Sequence, residues 1–232
     1  MNSHSKIILW QESLKLAFSL IFYPRGKRGF LKFVPRNAKL LDIGCGNNSP
    51  LKIKSQRPDI FYVGLDVGDY NQKINPNIYA DQYKIVSPGV FAEEIVKFSG
   101  KFDAVISSHN IEHCYDQENV LCAMLSSVKD NGVLYLSFPS EESVYFPKRR
   151  NTLNFYDDPS HARPVNYQKV LKIITNNNFR IDFCIKRYRP FFLWFLGLIF
   201  EPFARVLNRN MPFAITGAFY GFETIIWASR KR

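Results

Sequence analysis

The most constraining feature of this chain is the run Leu40-Leu41-Asp42-Ile43-Gly44-Cys45-Gly46-Asn47-Asn48. It reads as a buried strand ending in an acid and a G-x-G turn. Glycines at such a turn let the backbone bend sharply and approach a ligand that a Cβ would exclude. The second strand ends in Gly64-Leu65-Asp66, and an acid about 20 residues past the glycine turn is placed to accept hydrogen bonds from ribose hydroxyls. Asp81, closing Tyr79-Ala80-Asp81, is expected at the tip of a third strand, facing an adenine amino group. A pyrophosphate cofactor would favour G-x-G-x-x-G and a helix N-terminus. Here Ser49 stands at the third glycine position, with Pro50 after it. Asp42, directly before the turn, repels a pyrophosphate but suits a cationic ammonium or sulfonium.

The pattern around the turn is that of an α/β fold. Short runs rich in Val, Ile, Leu and Tyr at 39–43, 61–66, 77–81, 102–107 and 132–138 predict strands, with helices at 88–99, 117–129 and 167–176. Near-continuous apolar strands alternating with helices indicate a parallel sheet covered on both faces. A sixth strand is expected at 180–187 and a last one at 222–228, separated by an aromatic insertion over 190–220. The polar stretch 139–164 is long enough to be a lid or binding segment. A single domain is expected over 1–232. It comprises an amphipathic helix and basic linker (1–36), a core (37–188), the insertion (189–220) and a closing strand (221–232).

The strand-and-turn set, with Asp66, Asp81 and Phe102-Asp103-Ala104-Val105-Ile106-Ser107, resembles the class I S-adenosylmethionine-dependent methyltransferases over about residues 38–186 and 221–228. The resemblance implies a Rossmann-like doubly wound sheet of seven strands, order 3-2-1-4-5-7-6, with the seventh antiparallel. It implies S-adenosylmethionine as cofactor, with Asp42, Gly44, Cys45 and Gly46 along its methionine part. Asp66 and Val67 would lie at the ribose, Asp81 at the adenine, and Ser107 and Ser108 near the transferable methyl. Ile111-Glu112-His113 resembles the small-molecule subgroup. Phe138-Pro139-Ser140-Glu141-Glu142, the segment from Asn154 to His161 and Gly221-Phe222-Glu223 resemble methyltransferases of bacterial surface-polysaccharide gene clusters.

A sulfonium methyl is already electrophilic, so the protein has mainly to align an acceptor and take its proton. Histidine titrates in the useful range, which makes His161, His109 and His113 the catalytic candidates. Glu141, Tyr156, Asp157 and Arg163, in the polar stretch, suit a polyhydroxylated ligand: carboxylates accept from sugar hydroxyls and aromatics stack on sugar faces. His109-Asn110-Ile111-Glu112-His113 spells the H-x-x-E-H of a zinc protease class. That chemistry needs both histidines inside one helix, whereas this string directly follows a strand, so no metal is expected.

Charge separates the remaining readings. Residues 1–36 hold seven Lys/Arg against one acid and residues 180–232 nine against three, whereas 37–179 hold fifteen against sixteen. The basic excess therefore lies in the two most aromatic stretches, a pattern that suits peripheral contact with an anionic membrane more than nucleic acid. No Pro-Pro-Tyr follows the fourth strand, so base methylation is not expected. Residues 191–200 are ten apolar positions in a row, against the roughly 20 that span a bilayer. Arg187, Arg189, Arg205 and Arg209 flank them; a subdomain packed on the substrate side or a dimer contact are the alternatives. Gln11, Glu12 and Lys15 interrupt the apolar stretch after Ile7, and four cysteines show no C-x-x-C pair; a cytoplasmic enzyme at the inner membrane face is expected. The leading expectation is O-methylation of a saccharide or lipid-linked glycan intermediate. The rivals are an NAD-dependent oxidoreductase or epimerase and a non-catalytic membrane-docking protein that keeps the fold.

Overall fold

A computed structural model describes residues 23–68, 74–151, 153–211 and 213–232. The helix expected over 6–22 lies outside the described residues. Seven strands form one sheet: β1 (Lys39–Ile43), β2 (Phe61–Asp66), β3 (Gln82–Ile85), β4 (Phe102–Ser108), β5 (Val128–Pro139), β6 (Phe179–Tyr188) and β7 (Glu223–Arg230). Their order is β3-β2-β1-β4-β5-β7-β6, and β7 runs antiparallel to both neighbours. This is the order and polarity that the resemblance implies.

The strands read as continuous apolar runs because both faces are covered. On one face Leu41, Ile43, Leu65 and Val105 pack with residues of α3 (Phe91–Val96), α4 (Gln117–Ser127) and α5 (Tyr167–Asn176). On the other, Leu40, Tyr62, Ala104, Ile106 and Trp227 pack with Phe30 of α1 (Lys27–Phe30) and Ile53 of α2 (Ser49–Gln56). Alternate residues of each strand therefore enter different cores, as a period of two demands.

Several boundaries move from their expected places, with local causes. The third strand is not 77–81 but Gln82–Ile85. Pro76 starts a 3₁₀ turn, Pro76–Ile78, and the Asn75 side chain accepts from Asn77 N, so the chain turns where a strand was expected. Pro88 likewise opens a 3₁₀ turn, and α3 begins only at Phe91. The helix expected to reach 129 stops at Ser127, and β5 begins at Val128, earlier than 132. Its extra residues form an irregularity: Phe102 pairs with Val128, but Ala104 pairs with Val133.

The insertion consists of α6 (Phe191–Val206) and α7 (Phe213–Tyr220). A Cβ on Gly197 would stand 2.5 Å from the Phe219 side chain, so glycine is what lets the two helices approach. Two 3₁₀ turns, Glu141–Tyr145 and Phe155–Asp157, shape the polar stretch before α5. Among the described residues no helix is long and apolar enough to cross a membrane.

Candidate active site

Parallel strands β1, β2 and β4 end at one edge, and there the candidate residues gather. The turn after β1 is left-handed at Gly44 (φ +68°) and Gly46 (φ +57°), a region that non-glycine residues avoid. The two glycines are needed for different reasons. A Cβ on Gly44 would meet the Asn110 side chain at 2.2 Å, whereas one on Gly46 would project into open space. Gly44 is thus closed by packing, and Gly46 leaves a cradle that a side chain would fill.

Asp66 ends β2 facing this turn. Its Oδ2 accepts from Gly46 N at 2.6 Å and its Oδ1 from Val67 N at 2.7 Å. Asp42 is fully buried; its Oδ2 accepts from Ser49 Oγ at 2.5 Å and from Tyr62 Oη at 2.9 Å. Lys27 Nζ lies 3.9 Å from the same oxygen. Asp42 Oδ1 has no hydrogen-bond partner among the described residues, so one oxygen builds the turn and the other takes no part in it. Ser49, notable in the sequence as a missing glycine, is here a donor to Asp42. Burial, with the Asp42 charge beside it, pushes the Tyr62 hydroxyl well above its usual range. Burial and the Asp42 and Asp66 charges do the same to the Cys45 thiol. Cys45 is therefore a neutral wall residue.

One cofactor expectation, that for Asp81, needs correction. Asp81 precedes β3 instead of ending it, and Val63 pairs with Gln82 while Asp66 pairs with Ile85. Asp81 therefore sits at the opposite edge of the sheet from the glycine turn. There its Oδ2 accepts from Tyr62 N at 2.7 Å and pairs with Lys54 at 2.5 Å. The Ser107 hydroxyl is buried and donates to the Ile43 carbonyl at 2.9 Å, so it braces β4 against β1. Ser108, by contrast, lines a cavity of about 210 Å³ with Tyr23, Lys27, Arg28, Tyr135 and Glu223.

Just past β4, His109 adopts φ +53°. Its Nδ1 lies 3.2 Å from Glu112 Oε1 and its Nε2 3.4 Å from Glu223 Oε1. Its ring stacks on Phe222 with centroids 6.1 Å apart. Glu112 is fully buried. Burial pushes the Glu223 carboxyl up to about 8. One histidine is thus held between two carboxyl groups, of which Glu223 lines the cavity.

The polar stretch behaves less uniformly than expected. The His161 Nδ1 meets the Phe155 carbonyl at 2.6 Å, and its ring packs 4.8 Å from that of His113. Ala162 N donates to the Glu112 carbonyl at 2.8 Å, tying this segment to the tip of β4. Asp157 is a cap: its Oδ2 accepts from Leu153 N and Asn154 N, so that oxygen is committed to the local turn. Glu141 accepts from Asn166 Nδ2 at 2.8 Å and pairs with Lys186 at 2.8 Å. Tyr156 is exposed, with Lys148 Nζ 6.0 Å from its ring centre. Arg163 lines a separate groove between α4 and α5 with Gln117, Glu118 and Lys169. The four expected substrate contacts are therefore not gathered around the Ser108 cavity. Lys27, Tyr135 and Glu223 line it instead. Glu223 had a signal, the Gly221-Phe222-Glu223 run; Lys27 and Tyr135 had none, since only the fold brings them to β4.

Comparison with known proteins agrees with this architecture. A family model described as a methyltransferase domain matches residues 22–181. The chain is similar to the ubiquinone biosynthesis O-methyltransferase of Pelagibacter ubique (strain HTCC1062), 29% identical over 107 residues. That match covers 44% of this chain and 42% of the relative, so it spans less than half of the relative's length. Among solved structures, an S-adenosylmethionine-dependent methyltransferase from Archaeoglobus fulgidus superposes with TM-score 0.58 at 19% identity, covering 94% of each chain. Another from Mesorhizobium loti gives TM-score 0.54 at 14% identity, covering 88% of this chain and 97% of that one.

Proposed function

The chain belongs to the methyltransferase domain family and is an S-adenosylmethionine-dependent methyltransferase; from that premise we propose that it methylates a hydroxyl of a saccharide or lipid-linked glycan intermediate at the inner face of a membrane. The observation that carries the O-methyl assignment is His109, held by Glu112 on one side and facing Glu223 across 3.4 Å on the other.

The residues present fit the cofactor. The open cradle at Gly46, the Asp66 carboxylate 20 residues on and the spare Oδ1 of Asp42 would hold it. S-adenosylmethionine supplies an electrophilic methyl group. Glu112, buried beneath His109, accepts at Nδ1 and so orients the imidazole with Nε2 outward, the role a carboxylate plays behind a histidine base. His109 Nε2 takes the proton of the acceptor hydroxyl. Glu223, with its carboxyl up at about 8, is mostly protonated at neutral pH and presents an O–H that fixes the acceptor in the cavity. Lys27 and Tyr135 supply further donors there.

The membrane part of the proposal rests on α6. Phe191, Phe192, Phe195 and Phe203 are at least half exposed, and arginines flank the helix on both sides. Such a face suits the lipid interface, with the guanidinium groups at the headgroups. The similarity to an O-methyltransferase of ubiquinone biosynthesis favours a second reading, in which the acceptor is a hydroxylated intermediate of that pathway.

The test is methyl transfer from radiolabelled S-adenosylmethionine to membrane extracts, resolved into glycan-lipid and quinone fractions. Label in the glycan-lipid fraction is the expected result; label in the quinone fraction selects the second reading. His109→Asn, which keeps the backbone conformation, should lower kcat by about 10²–10⁴ with cofactor affinity unchanged. A wild-type rate in that variant removes His109 as the base.

A further inference from the structure

A second cluster lies beside the proposed base and is not used by it. One carboxylate oxygen of Glu112 and one ring nitrogen each of His113 and His161 lie within 4.8 Å of one another. From this cluster we infer a binding site for a divalent first-row transition ion, of which Zn²⁺ is the best match, formed by Glu112, His113 and His161.

The hydrogen bonds around the two histidines prepare both as ligands. His161 Nδ1 faces the Phe155 carbonyl at 2.6 Å. A carbonyl only accepts, so Nδ1 carries the proton and Nε2 keeps its lone pair. His113 Nδ1 faces Ser160 Oγ at 3.0 Å and the Ser160 carbonyl at 3.3 Å. The Ser160 hydroxyl gives its own proton to Asp158 Oδ1 at 2.5 Å, so toward His113 it accepts, and His113 is also protonated on Nδ1. An Nδ1–H bonded to a backbone carbonyl or an oxygen acceptor is the outer arrangement that metal-bound histidines show.

Glu112 adds the charge. It is fully buried, and while Oε1 meets His109, Oε2 has no hydrogen-bond partner among the described residues. A buried carboxylate oxygen left unsatisfied costs stability, and a cation removes that cost. Asp158 Oδ2, 3.8 Å from His161 Nε2, stands nearby as a further anionic group. Two imidazoles and a carboxylate with open positions suit Zn²⁺, Co²⁺ or Fe²⁺ and do not suit Ca²⁺ or Mg²⁺, which prefer all-oxygen sets.

The spacing gives the ion a mechanical effect. Ligand atoms around tetrahedral zinc stand about 3.3 Å apart, so a cluster spread to 4.8 Å contracts when it binds. His161 belongs to the polar stretch 139–164, and Glu112 and His113 to the tip of β4. Contraction therefore draws that stretch onto the cofactor edge and, through Glu112, tightens the seat of His109. The site differs from the H-x-x-E-H pattern, because its second histidine comes from far along the chain instead of from one helix.

The inference stands apart from the identity of the methyl acceptor, and its test uses no methyl transfer. Metal-stripped full-length protein is titrated with Co²⁺ and followed by its visible ligand-field absorption, then challenged with Zn²⁺. The expected result is one Co²⁺ per chain at micromolar concentration, displaced by Zn²⁺, with slower amide exchange over 155–163. His113→Ala and His161→Ala should each weaken binding by more than the roughly 10–100-fold that loss of an outer partner costs. Cys184→Ser, distant from the cluster, should bind as wild type. Absence of Co²⁺ uptake, or uptake by both histidine variants with wild-type affinity, overturns the site. Because Glu112→Gln endangers a buried position, the histidine variants, checked by circular dichroism, carry the decision.

Discussion

The cofactor edge and the aromatic insertion are built on opposite plans. Around the glycine turn, apolar strands are buried and a few acids, Asp42, Asp66 and Glu112, are held at their tips. In α6 the arrangement is reversed. Its buried residues are Gly197, Glu201 and Ala204, while its phenylalanines face outward. Glu201 Oε1 accepts from Arg149 Nη2 at 2.7 Å, from Tyr220 Oη at 2.5 Å and from Arg205 Nε at 3.1 Å. Arg149 belongs to the polar stretch before α5, so a buried ion pair fastens the insertion to that stretch. The core is held by apolar burial and gathers its charges at the strand tips. The insertion is held by charge and carries its apolar surface outward.

The contrast breaks hardest where the insertion's charge is removed. Glu201→Leu leaves Arg149 buried without its partner and should cost about 3–5 kcal/mol. Hydrogen exchange should show α6 and 141–157 loosening before the sheet; uniform loosening would mean the two regions unfold as one. At the cofactor edge, Asp66→Ala removes the expected ribose acceptor and should weaken S-adenosylmethionine by about 100-fold in calorimetric titration. The two glycines sharpen the picture within that edge. Gly46→Ala should cost only the left-handed strain of about 1–2 kcal/mol but abolish cofactor binding by filling the cradle. Gly44→Ala should lose more stability than that, because its Cβ overlaps Asn110.

Glu223 gives the pH test. Its folded carboxyl holds a proton up to about pH 8, while the unfolded group releases it near the usual 4.5. Its contribution to stability is therefore full below pH 4.5 and is lost as the pH rises toward 8. Glu223→Gln removes that loss, so the variant's melting temperature should gain on wild type between pH 5 and pH 8; parallel curves would contradict the shift. Smallest in the folded protein are Phe192→Ser and Phe203→Ser, at 52% and 62% exposure. Each should change stability by less than about 0.5 kcal/mol yet weaken sedimentation with anionic vesicles about tenfold.

These two plans also decide what the sequence discloses. The sheet was legible because buried parallel strands are uninterrupted apolar runs and the glycine turn punctuates the first of them. Asp66 was legible because its place depends only on the length of one crossover. Asp81 was misplaced because a prolines-and-asparagine turn at 75–78 delays β3, and pairing register fixes which edge an acid reaches. Lys27, Tyr135 and Glu223 come from three elements far apart in the chain, and local pattern holds no trace of their meeting. The burial of Glu201 could not be read either: on an apolar helix a lone acid looks like a solvent-facing residue, and only Arg149, 52 positions earlier, makes it otherwise. His109, Glu112 and Glu223 each stood in a noted motif, while the contact of His109 with both carboxyl groups was not readable, because Glu223 comes from the far end of the chain.

The left-handed backbone at His109 has a bearing on how the position tolerates change. At φ +53° asparagine, aspartate and glycine sit with little strain, whereas valine, isoleucine and threonine are refused by their branched Cβ. In a saturation library scored only for folded protein, position 109 would therefore show a sharp preference that owes nothing to proton transfer. Scored for methyl transfer, the same library would separate the two demands. Asparagine would survive the first screen and fail the second, and histidine alone would pass both.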